Sequence, residues 1–132
     1  MDKKIKISYS GVVLDVKSHE ELRALYFDVL REEISDWKLI AHHMTICLGA
    51  LLDEKKKLLG TRIRLKATHY AADANAFAVK VLDDGLSVNK IPHVTVAINQ
   101  TNGGKPKDSN NLRGWIRLWP QLTLFGKVME IV

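Results

Sequence analysis

With Cys47 as its only cysteine, the chain can form no internal disulfide and no multi-cysteine zinc site. Long hydrophobic runs are missing as well: no apolar stretch approaches the ~20 residues of a membrane-spanning helix. The N-terminal MDKKIKISYS carries charge but neither an apolar core nor a small-residue cleavage site, so no secretory signal is expected and the cytoplasm is the default compartment. Proline occurs three times, too seldom for a proline-rich linker, and no shift in composition divides the 132 residues. One domain over 1–132 is therefore expected. Acidic residues are in deficit, 15 against 20 Lys and Arg, and the net charge of +5 favours anionic partners without specifying a fold. An apolar share of 46% with 27% charged residues excludes a wholly disordered chain.

What is present reads as alternating strands with one helix. Residues 4–16, KIKISYSGVVLDV, alternate and are rich in β-branched side chains, which predicts a strand to about Asp15. SHEELRALYFDVLREE then changes to helical period, with Ser18 and Glu21 spaced as a capping box. Leu22, Leu25, Tyr26, Val29 and Leu30 form its apolar face. A strand is expected from Leu39 to Leu48, then a polar turn closed by Gly60. Two strands joined by an Asp73-Ala74-Asn75 turn follow, and another strand runs from Pro92 to Ile98. NQTNGGKPKDSNN is a long polar loop, a type that is usually functional or mobile. A short amphipathic piece, LRGWIRLW, and a strand, QLTLFGKVMEIV, close the chain, with Trp115 and Trp119 at a spacing that suits a buried helical stripe.

One internal repeat stands out. His43-Met44-Thr45-Ile46 and His93-Val94-Thr95-Val96 both read His, apolar, Thr, apolar. On a strand, residues two apart share a face. His43 and Thr45 therefore point one way and Met44 and Ile46 the other, and the second copy repeats this. Cys47 and Ala97 are small residues beyond the threonines that leave space beside them. A single His-x-Thr carries almost no information, but two of them among five histidines arise in only about 2% of shuffled sequences. The plain alternative is two strands that happen to carry these side chains toward solvent. The chemical reading uses one imidazole as base and the other as acid near neutral pH, with the hydroxyls donating to phosphoryl oxygens.

The paired tetrads resemble the 2H phosphoesterase superfamily, named for two His-x-Thr/Ser motifs, and the order of elements resembles it over most of the chain. SVNKIPHVTV and GGKPKDSN look most like its tRNA-ligase-type phosphodiesterase domains. The resemblance implies an α+β, bilobal fold: two antiparallel-sheet lobes with pseudo-twofold symmetry around a central cleft, one motif in each. It also implies that His43 and His93 are acid and base, and that Thr45 and Thr95 hold the phosphate without a metal.

Other residues admit two readings each. Tyr9 is a base-stacking candidate or a packing aromatic; Ser87 and Asn89 precede the second motif and orient it, or simply belong to a loop; Lys105, Ser109 and Asn110 contact the substrate or sit in a mobile loop. Arg62, Arg64 and Lys66 share a strand face that is either solvated or a phosphate track. His42 is expected on the face opposite His43, His19 in solvent, and His69 in a structural role; Trp37, Trp115 and Trp119 are expected to pack. No spacing fits a zinc or calcium site, so neither metal nor cofactor is expected.

The expected activity is metal-independent hydrolysis of a 2′,3′-cyclic phosphate at an RNA end or on a nucleotide, giving a 2′-phosphate. Two alternatives stay open: the same chemistry on a signalling nucleotide, such as a cyclic oligonucleotide or 2′,5′-oligoadenylate, and an RNA- or nucleotide-binding module without turnover. No membrane partner is expected, and a monomer is the default.

Overall fold

The structure, a computed structural model, describes residues 6–30 and 37–132. The outer ends of two expected elements, residues 4–5 and 31–33, lie outside them. The elements in order are β1 (Tyr9–Leu14), α1 (Val16–Leu30), β2 (Lys38–Leu39), β3 (His43–Leu48), β4 (Arg62–Ala72), β5 (Ala76–Leu82), β6 (His93–Ile98) and β7 (Ile116–Ile131), with 3-10 turns at Asp53–Leu58, Gln100–Asn102 and Pro106–Asn111.

The expected two-lobed α+β arrangement is not what forms. Six strands close into one antiparallel barrel in the order β6-β3-β1-β7-β4-β5, with β5 returning to β6, and the two-residue β2 is appended to β6. The reason lies in β7. Its sixteen residues pair with β1 through Gly126–Ile131 and with β4 through Ile116–Lys127, so one strand bridges what would otherwise be two sheets. The amphipathic piece expected near LRGWIRLW belongs to this strand from Ile116 onward, and Trp119 is 77% exposed instead of lying in a helical stripe.

The barrel interior follows from alternation. Val12, Met44, Ile46, Leu65, Phe77, Val79, Val94, Val96, Leu124 and Val128 are fully buried. Leu22 and Tyr26 of α1 join this core, while Leu25, Val29 and Leu30 pack at its margin, so the helix covers the barrel with the face that its periodicity specifies. The helix begins earlier than the capping-box reading implies. Asp15 Oδ1 accepts the Ser18 N–H at 2.8 Å, and Ser18 Oγ instead accepts the Phe125 N–H at 2.8 Å, tying helix to β7. The β4–β5 turn forms as expected, with Asp73 Oδ1 accepting the N–H groups of Asn75 and Ala76. No helix among the described residues is long and apolar enough to cross a membrane.

Gly11 positions the strand that carries the first motif. A side chain there would meet the Met44 carbonyl oxygen at 2.7 Å, at the bulge where β1 passes β3. The approach puts His43 against Tyr9.

Candidate active site

β3 and β6 lie side by side, joined by the single ladder pair Met44–Val94, and both of these residues point into the core. Parity therefore turns His43, Thr45, His93 and Thr95 outward. All four line one cavity of about 400 Å³, together with Asn89, Lys107 and Asn110. One step along from the Met44–Val94 pair, Thr45 lies across from His93 and His43 across from Thr95. The repeated tetrad thus builds one site from two adjacent strands of a single barrel.

His43 is the more enclosed imidazole. Its ring stacks on Tyr9 with centroids 4.5 Å apart, and the Tyr9 hydroxyl is 3.5 Å from Nδ1. His42 approaches too, Nδ1 to Nδ1 at 3.0 Å, contrary to the expectation that it faces away. Alternation fails here because the chain is not a strand before His43: Ala41 is buried in the left-handed region at φ 43, a conformation that costs a non-glycine residue about 1–2 kcal/mol. His19 Nδ1–H donates to the Ala41 carbonyl at 3.0 Å, and the Ala41 N–H reaches the Thr95 carbonyl at 3.1 Å, so the kink is held from both sides. His19 is accordingly a positioning residue and not a free surface one. Burial, then the neighbouring His42 and His93, push the His43 pKa down from 6.5 to about 4, which keeps its ring neutral at pH 7. His43 Nδ1 faces the Tyr9 hydroxyl and His42 Nδ1, and in the tautomer that carries the proton on Nδ1 the lone pair is on Nε2.

His93 is held differently. Its Nδ1–H donates to the Ile91 carbonyl at 2.8 Å, which leaves Nε2 as the nitrogen available for proton transfer. Thr95 Oγ1 shares a 2.8 Å hydrogen bond with Ser109 Oγ and lies 3.3 Å from the Pro106 carbonyl. Thr45 Oγ1 has no protein partner among the described residues.

The remaining candidates divide. Ser87 Oγ donates to the Thr45 carbonyl at 2.8 Å and accepts the Asn89 N–H at 3.0 Å, so Ser87 supports β3 while Asn89 reaches the cavity. Asn110 lines the cavity, and Ser109 is buried behind Thr95. Lys105 lies on neither this cavity nor its neighbour; it is exposed, with its N–H on Asp108 Oδ2. Lys107 is the loop cation that reaches the site, and two lysines separated by one proline gave the sequence no means to choose between them. Cys47 also lines the cavity, whereas Ala97 is buried beside Leu39. Among the described residues, no group of three His, Cys, Asp or Glu side chains is arranged to hold a metal.

No family model matches the chain, and no curated protein does. Among solved structures, the chain is similar to the crystal structure of TT0787 of Thermus thermophilus, with a TM-score of 0.51 over 92% of this chain and 86% of that one. The sequence identity is 12%, so the likeness bears on the barrel fold alone.

Proposed function

We propose that the chain is a phosphodiesterase of the 2H type, hydrolysing a 2′,3′-cyclic phosphate on an RNA end or nucleotide in the cytoplasm. The observation that carries this reading is that His43, Thr45, His93 and Thr95, fifty positions apart in two copies, line one cavity. The neutral His43 takes a proton from water at Nε2 as the water oxygen bonds to phosphorus. The bond from phosphorus to O3′ breaks, and His93 Nε2 delivers a proton to that oxygen. One water is added and a 2′-phosphate remains. Thr45 and Thr95 donate to the non-bridging oxygens, whose charge grows in the transition state.

Turnover of nucleoside 2′,3′-cyclic phosphates in excess chelator, with the position of the product phosphate read by NMR, tests the reaction. Including cyclic oligonucleotides and 2′,5′-oligoadenylate in the same panel separates the signalling-nucleotide alternative. Tight binding without product from any of them would leave only the binding-module reading.

A further inference from the structure

The cavity does not end at His93. A second cavity of about 230 Å³ abuts it, sharing Asn89, His93 and Asn110, and its wall is Leu112 and Trp115. These two pack on Ala71, Ala76 and Ala78 on the outside of β4 and β5, and the Trp115 indole Nε1 is buried with no partner among the described residues.

Beside this apolar patch the strand register assembles a row of bases. His93 pairs with Lys80 across β6 and β5, Lys80 with His69 across β5 and β4, and His69 with Arg117 across β4 and β7. Residues directly opposite in antiparallel strands share a face. Ala67, Val79, Val81 and Leu118 occupy the inner face, so His93, Lys80, His69 and Arg117 all lie on the outer one. Strand spacing makes the row about 14 Å long. No carboxylate among the described residues pairs with Lys80 or Arg117. The row ends on an exposed aromatic, with the Arg117 guanidinium 4.8 Å from the centroid of Trp119. On the other side of Thr45 the same line continues through Gly11 to Met129, which carries no charge. From His43 a second line runs through Val13 to Lys127 and Arg62, but there the Asp15 carboxylate stands beside Arg62.

We infer that Lys80, His69 and Arg117 hold the phosphates of a single-stranded oligonucleotide whose reacting terminus lies between His43 and His93. This deepens the proposed function and rests on its reading of the cleft. A chain ending in a 2′,3′-cyclic phosphate has nucleotides on one side only, its 5′ side, and the row with no carboxylate beside it, the one toward Arg117, is the side assigned to them. The second cavity takes the adjacent base against Trp115, and Trp119 stacks on a base further along.

The test is equilibrium binding, by fluorescence anisotropy, of labelled oligoribonucleotides that already end in a 2′-phosphate, from a dinucleotide to about twelve nucleotides. Affinity rises with length for the unaltered protein. The double variants Lys80→Glu/Arg117→Glu and Lys80→Gln/Arg117→Gln weaken binding of the long oligomer about 10- to 30-fold near 0.1 M salt and flatten its log–log salt slope by about 1.4. Trp119→Ala weakens it about 5-fold or more. Length-independent affinity, or variants that melt like the unaltered protein and bind as well, would overturn the inference. So would anionic phospholipid vesicles that bind with the same dependence on Lys80 and Arg117. Turnover of a nucleoside 2′,3′-cyclic phosphate is scored separately. Length-dependent binding without turnover upholds the row and rejects the reaction, and the converse result does the opposite.

Discussion

His42 and His43 face each other through their Nδ1 atoms at 3.0 Å, although adjacent residues of a strand point to opposite sides. The kink at Ala41 makes this possible, and His42 is one cause of the low His43 pKa, after burial and ahead of His93. If His43 is the base, it works only when neutral, so kcat/KM rises with pH through about 4 and not 6.5. His42→Ala removes one repulsive neighbour and moves that acidic limb upward. A pH–rate profile for both proteins checks this; an unmoved limb near 6.5 would place the proton acceptor elsewhere.

The same shift affects folding. Unfolded His43 titrates near 6.5 and folded His43 near 4, so the unfolded chain binds the proton more readily between these values. Stability from this group is therefore complete above pH 6.5 and declines as pH falls toward 4. The expected loss is about 2 to 3 kcal/mol, discounted for the partial solvent access of the ring. Urea melts from pH 7 to 4 show this decline, and His43→Gln flattens it.

His43→Ala and His93→Ala each reduce turnover by ~10²–10⁴-fold with unchanged circular dichroism. Full activity in both single variants would end the two-histidine mechanism. Assays with and without excess chelator give equal rates.

Ser109 acts on the reaction through Thr95. Ser109→Ala removes the 2.8 Å bond that orients the Thr95 hydroxyl, so kcat falls by roughly tenfold while KM changes little. Ser109→Thr, which restores a hydroxyl, recovers part of the loss. Equal changes in kcat and stability across both variants would instead mark Ser109 as packing alone.

Gly11→Ala places a methyl group 2.7 Å from the Met44 carbonyl oxygen. β3 must shift, so the melt shows a loss of about 1–3 kcal/mol, and activity falls with it because His43 follows Met44.

The site was more legible than the architecture around it. Alternation alone turns the two tetrads outward, because Met44, Ile46, Val94 and Val96 need the core and side chains two apart must agree. The stripe on α1 and the Asp73 turn were equally local signals. Barrel closure was not, since it depends on β7 pairing with β4 and with β1, whose partners lie from 46 to 122 positions away, and Pro120 made that strand look like two elements. His42 was misplaced for a definite reason: the parity rule assumes a continuous strand, and nothing in the letters marks Ala41 as left-handed. The row from His93 to Arg117 involves four strands, and a one-residue bulge after Ala67 sets which side of β4 His69 occupies.

The one ladder pair between β3 and β6 has a mechanical meaning. Every other junction around the cylinder is fastened by several ladder pairs, whereas β3 itself meets β6 only at Met44–Val94, the rest of that edge being held by β2, Ile40 and Ala41. The tie that keeps the two imidazoles at a fixed spacing therefore comes largely from the kinked segment ahead of His43, and the catalytic gap inherits its width from a piece of chain that is not itself part of the ladder.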